Sequence, residues 1–154
     1  MIFCIKKAYS RTYFSPDEND KSGNPYQDYF NLLSFEGQKY IEKKFTLNAA
    51  TVWAYQGDYG AYAEGLIGAG YHYPLLSGWS VLAKALFCAA GGGGIDLRSG
   101  LVFQTNAGIE KKIGKHSSVF MNFGKFIPLS GNFDPYSLDV GFSIDVYQLF
   151  RKNW

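Results

Sequence analysis

Three short stretches of this 154-residue sequence carry side chains whose types and spacing could do chemistry. His116-Ser117-Ser118 sets a histidine beside serines, the residue types that nucleophilic hydrolysis uses as base and nucleophile. Such a pair works only within hydrogen-bond reach and with an acid to orient the imidazole. Here the histidine sits in the turn Gly114-Lys115-His116-Ser117, and a polar turn accounts for it without catalysis. Gly91-Gly92-Gly93-Gly94 invites a phosphate-cradling loop. The Lys-Ser/Thr that should follow is absent, and Ile95-Asp96-Leu97 brings no cation to a phosphate. A flexible loop or a kinked strand end is the expectation. Asp17-Glu18-Asn19-Asp20-Lys21-Ser22-Gly23 opens like a calcium loop. Lysine stands where an acid or amide is needed, serine where glycine is needed, and the distal glutamate is displaced. A solvated loop is the expectation, and no metal or cofactor site is assigned.

Composition narrows what must position these residues. A formal charge of +2 is too small to draw nucleic acid by bulk electrostatics. Thirteen Phe, twelve Tyr and three Trp beside eighteen Gly and five Pro favour an all-β chain. Between Phe45 and Glu110 the only charged residues are Asp58, Glu64, Lys84, Asp96, Arg98 and Glu110. A solvated surface usually carries a denser mixture. No run approaches the ~18 apolar residues of a transmembrane helix, a test to which β-barrels are blind. Cys4 and Cys88 do not make a disulfide framework and suit buried or lipid-facing positions. Met1 to Lys7 lacks the order of a signal peptide, so an exported chain would be a mature form, a fragment or a late start.

The chain reads as a single domain of eight strands over 2–14, 28–37, 45–55, 61–73, 79–89, 101–112, 117–127 and 136–150, with a long polar loop Ser15–Gln27 and a short tail Arg151–Trp154. Alternation is clearest at the end: Tyr136, Leu138, Val140, Phe142, Ile144 and Val146 share one face. Strands of this length exceed the soluble mode of ~5–6 residues and suit a tilted membrane strand of ~9–11. Connectors alternate between long and short, with Gln56–Gly60 as the exception, as in barrels with short turns at one rim and longer loops at the other.

Two facings are open. With the apolar face outward, aromatics gather near the strand ends around an aliphatic band. Phe45, Tyr71, Tyr73, Trp79 and Phe150 lie toward the rim of the chain ends, and Trp53, Tyr55, Phe87, Phe103 and Tyr136 toward the other. Amphipathic rings prefer such positions at lipid–water interfaces. Glu64, Lys84, Gln104, Asn106, Glu110, Asn122, Asp139 and Asp145 then face the lumen. An eight-stranded barrel is just wide enough to be filled by side chains, so these are expected to form a polar network plugging it, with Lys84 as the partner for Asp139 and Asp145. The opposite facing gives a soluble, lipocalin-like barrel with Trp53, Ile67, Phe87, Phe103 and Phe142 lining a pocket for a lipophilic ligand.

The last strand resembles the assembly signal of the small outer-membrane β-barrel superfamily of Gram-negative bacteria, through Asp139, Gly141, Ile144, Val146 and the aromatic Phe150. The chain departs from that pattern by continuing through Arg151-Lys152-Asn153-Trp154. The resemblance covers most of the chain as architecture. It implies a transmembrane antiparallel barrel in the bacterial outer membrane, membrane lipids around it, insertion by the barrel-assembly machinery, and no specific activity. His116 and Ser118 also resemble the His-x-Ser spacing of outer-membrane lipid A deacylases, which makes a barrel lipid hydrolase a further alternative. That resemblance implies an acid about a dozen residues beyond the serine, and no carboxylate appears before Asp134. The expectation is a non-enzymatic structural or surface-interaction protein, with loops 15–27, 91–100 and 128–135 as the contact surface for any protein partner.

Overall fold

The computed structural model describes residues 4–14, 19, 21–25, 29–56 and 61–146. Within them run β1 (Cys4–Phe14), β2 (Tyr29–Tyr40), β3 (Phe45–Gln56), β4 (Ala63–Pro74), β5 (Trp79–Gly91), β6 (Leu101–Lys112), β7 (Ser117–Pro128) and β8 (Tyr136–Asp145). Each pairs antiparallel with its sequence neighbours, and β1 pairs with β8 to close an eight-stranded barrel. A strand of 12 residues such as β3 is about 40 Å long, and at the usual barrel tilt it rises about 30 Å, close to a hydrocarbon core.

Two strand limits differ from the sequence expectation by more than two residues. β2 runs past Gly37 to Tyr40, because Gln38, Lys39 and Tyr40 continue the ladder against Asn48, Leu47 and Thr46. β8 ends at Asp145, where its pairing with Ile5 of β1 ends. The expectations for Phe150 and for Arg151–Trp154 lie outside the described residues, as do most of those for 15–27.

The two rims are unlike. Tight turns 41–44, 75–78 and 113–116 share one rim with the start of β1 and the end of β8. The connectors 15–28, 57–62, 92–100 and 129–135 leave from the other. The glycine tetrad belongs to this loop rim, and geometry explains it. Gly92, Gly93 and Gly94 have φ of 95°, 63° and 79°, and a Cβ on Gly92 would strike the Ala61 carbonyl. The resulting left-handed turn sends Ile95 and Leu97 back into the barrel, where they are 1% and 3% exposed. Asn132 N–H then donates to Asp96 O at 3.2 Å, tying the β5–β6 and β7–β8 connectors together above the plug.

Candidate functional site

The lumen holds the groups with chemical potential, and it is built in three storeys by the inward parity of the strands. Nearest the loop rim it is an apolar core. Tyr13, Tyr62, Phe126 and Phe133 meet edge-to-face, with Tyr13–Phe126 and Phe126–Phe133 centroids both 5.4 Å apart, among Leu32, Val52, Leu86 and Val102. Rings in this arrangement add attraction beyond the area they bury. This storey corrects the expectation of a lumen filled by polar groups throughout. Val52, Leu66, Leu86, Val102 and Phe126 sit on the same parity as the polar residues, so the inner face changes character along the barrel axis.

The middle storey is an ion-pair cluster around Arg11, which is fully buried. Its guanidinium grips Asp139 in a fork, Nε to Oδ1 at 2.7 Å and Nη2 to Oδ2 at 2.9 Å. Nη1 donates to Gln104 at 2.9 Å and to Glu64 at 3.2 Å. Glu64 also accepts from the hydroxyls of Tyr62, at 2.7 Å, and Tyr13. A buried charge is tolerable only when paired and hydrogen-bonded in this way. Beside the cluster, Lys84 Nζ sits 2.6 and 2.8 Å from the two oxygens of Glu36. The expected pairing of Lys84 with Asp139 and Asp145 is therefore corrected: Arg11 takes Asp139, and Glu36 takes Lys84. Asn106 and Asn122 are 5% and 1% exposed, yet their amide atoms find no hydrogen-bond partner among the described residues. They fill space beside Gly124 and Gly108 in the β6–β7 register, and lie cross-strand from Lys84 and Asp139 without hydrogen-bonding to either.

The third storey opens at the turn rim as a well of about 550 Å³. Lys7 Nζ and Glu110 Oε2 are 3.2 Å apart at its floor, Ser143 Oγ donates to Glu110 at 3.4 Å, and His72 Nε2 is 3.7 Å from the other Glu110 oxygen. The Tyr40 hydroxyl lies 2.7 Å from His72 Nδ1. Lys43, Lys112, Lys115, His116, Ser118 and Asp145 stand around the wall and lip. Asp145 is half-buried at this lip, with its backbone N–H on His116 O at 2.9 Å, and is thus a rim residue and no part of the central cluster. His116 and Ser118 do share the well. Asp134, the nearest carboxylate after Ser118 in sequence, is at the opposite rim, 3.4 Å from Lys125. It cannot orient that imidazole.

Arg11, Glu36 and Lys7 escaped the sequence reading because β1 and β2 lack clean apolar alternation. Parity alone contains the signal: Lys7, Tyr9, Arg11 and Tyr13 step by two, as do Leu32, Ser34, Glu36 and Gln38. Gly141, assigned to the assembly signal, also has a packing reason. It pairs with Tyr9 on β1 and with Phe120 on β7, whose rings meet above it at 5.6 Å. A Cβ there would run into Tyr9 Cα at 2.6 Å. Ile144 and Val146 are half-buried at the turn rim.

The outer face is apolar. Phe45, Trp53, Tyr55, Tyr71, Tyr73, Trp79, Phe87 and Tyr136 are all exposed there, while Phe103 is half-covered by the Phe87 ring at 5.4 Å. The side chains required to line a lipocalin-like pocket point the wrong way: Trp53, Ile67, Phe87 and Phe142 are 46%, 68%, 62% and 51% exposed.

No protein-family model matches the sequence, and no curated protein matches it significantly. Solved structures do match in fold. The N-terminal β-barrel domain of Pseudomonas aeruginosa OprF superposes with a TM-score of 0.66 at 12% identity, covering 92% of this chain and 97% of that one. A de novo designed transmembrane β-barrel gives 0.63 at 10% identity, covering 93% and 95%. Ail, the attachment invasion locus protein of Yersinia pestis, solved with the heparin analogue sucrose octasulfate, gives 0.56 at 8% identity, covering 93% and 98%. The chain thus has the closed eight-stranded antiparallel fold of small transmembrane barrels.

Proposed function

We propose that this protein is a non-enzymatic outer-membrane barrel with a structural or surface-interaction role, closed to through-passage. One observation carries the reading: a sealed barrel whose exterior is apolar from Leu33 and Phe35 around to Val140 and Phe142. Soluble monomers rarely expose contiguous apolar patches beyond a few hundred Å², whereas a membrane barrel needs such a band. Aromatics flank it at both rims, Phe45 against Tyr71 at 5.2 Å on the turn side and Phe123 against Tyr136 at 5.6 Å on the loop side. Membrane lipids are its surroundings, and the barrel-assembly machinery its route of insertion. The packed loop end and the Arg11 cluster make it a well rather than a pore. The exposed parts of the connectors at the loop rim are the surface on offer to a protein partner.

The test is fractionation of cells that make the full-length protein. It should sediment with outer membranes, resist carbonate, and leave them only with detergent. A folded monomer in the soluble fraction would overturn the reading.

A further inference from the structure

Charge is distributed unequally between the rims. At the turn rim Lys39, Lys43, Lys112 and Lys115 are exposed, and Lys44 and Lys111 are half-exposed; among the described residues the carboxylates there are Glu42, Asp145 and the buried, paired Glu110. At the loop rim the described residues carry fewer charges. Lys125 is paired with Asp134, and the other charged residues described there are Lys21, Asp96 and Arg98.

Three of the turn-rim lysines sit on the outer face, on or beside the aromatic belt. Lys44 Nζ lies 4.3 Å from the Tyr73 ring centroid, and Lys111 Nζ lies 5.0 Å from that of Trp79. Lys39 projects outward from β2 opposite Leu47. Cross-strand pairing strings them into one arc: Lys39 on β2, Phe45 opposite Tyr71, then Trp79 opposite Lys111 on β6. The tips of the same turns expose aliphatic side chains, with Ile41 at 58%, Leu76 at 89% and Ile113 at 64%. Aliphatic tips, a ring of amphipathic aromatics and lysine ammoniums above it are the groups that lie in a lipid interface, where lysine stems lie along apolar surface and heads reach the phosphates.

We propose that the arc Lys39–Lys44–Lys111 is a binding surface for the headgroups of anionic phospholipids in the leaflet that meets the turn rim. Phosphate charge complements these ammoniums, none of which has a carboxylate partner among the described residues, while Lys111 Nζ also donates to the Ser77 carbonyl. This rests on the membrane reading above, and the experiment separates the two.

The full-length protein is folded into phosphatidylcholine vesicles that contain trace spin-labelled phosphatidylglycerol or spin-labelled phosphatidylcholine. The motionally restricted fraction of each label gives their relative association with the barrel. At low salt the phosphatidylglycerol label should be favoured about threefold or more, as expected for lysines at an anionic interface. Raising the salt toward 1 M should collapse the ratio toward one, since the Debye length falls to ~3 Å. In K39Q/K44Q/K111Q the ratio should approach one at low salt, while K125Q at the loop rim keeps it. A ratio of one in the wild type, or a ratio unchanged by salt and by the triple substitution, would overturn the proposal and leave the arc to an acidic protein surface. Failure of the wild type to insert into vesicles of any composition would instead remove the membrane reading itself.

Discussion

Replacing Arg11 with methionine tests the middle of the lumen. Arg11 is fully buried and, among the described residues, supplies the cationic contacts of Asp139, through two bonds of 2.7 and 2.9 Å, and of Glu64, at 3.2 Å. Methionine fills much of the same space but leaves two carboxylates without a cation in a region 0–1% exposed. Truncating one partner of a buried pair typically costs ~3–5 kcal/mol, most of it from the charge left behind. Arg11→Met should therefore lower the unfolding free energy by about that amount. The assay is equilibrium urea unfolding of the barrel folded in detergent or lipid, followed by tryptophan emission and by the gel shift between folded and heated forms. Neutralising what remains should recover most of the loss, so R11M/E64Q/D139N should be more stable than R11M alone. If R11M unfolds within about 1 kcal/mol of the wild type, comparable to an ordinary surface change, or if the added substitutions make it worse, the cluster does not hold the lumen as described.

Two further outcomes follow from packing. Gly141→Ala forces a Cβ onto the Ala8 carbonyl and Tyr9 backbone, and overpacking of this kind costs ~1–3 kcal/mol in the same unfolding assay. Planar bilayers containing the wild type should show no stable open-channel current, because Phe133, Ile95 and Leu97 seal the loop end; sustained single-channel steps would contradict that seal.

Much of the fold is legible in the sequence because the strand period of two is strict where both faces are well defined. In β5, alternate residues from Val81 to Cys88 are exposed and buried without a break, and the period fixes both the strand and its facing. Legibility fails where polar and aromatic residues share a face. Tyr9 and Tyr13 read as apolar and Lys7 and Arg11 as polar, yet all four point into the lumen, so β1 shows no contrast between faces. The partner of Asp139 was hidden for this reason and for another: Arg11 lies 128 residues away, and only closure of β1 against β8 brings the two together. The plug was hidden as well. Nothing in Gly91–Gly94 says that the turn re-enters the barrel until the Ala61 carbonyl is seen to occupy the space a Cβ would need.

A membrane barrel must hold its apolar face in lipid. Lysine scanning along that face tests it directly. Ala85 is exposed midway along β5, with Ala69 and Thr105 as its outward neighbours, and Leu76 is exposed at a turn tip. Equilibrium folding into vesicles should be weakened by ~2–4 kcal/mol in Ala85→Lys and by ~0–1 in Leu76→Lys, the depth dependence of a charge carried from bilayer midplane to interface. Equal, small effects at the two positions, with Ala85→Lys folding as readily as the wild type, would contradict a membrane-embedded barrel.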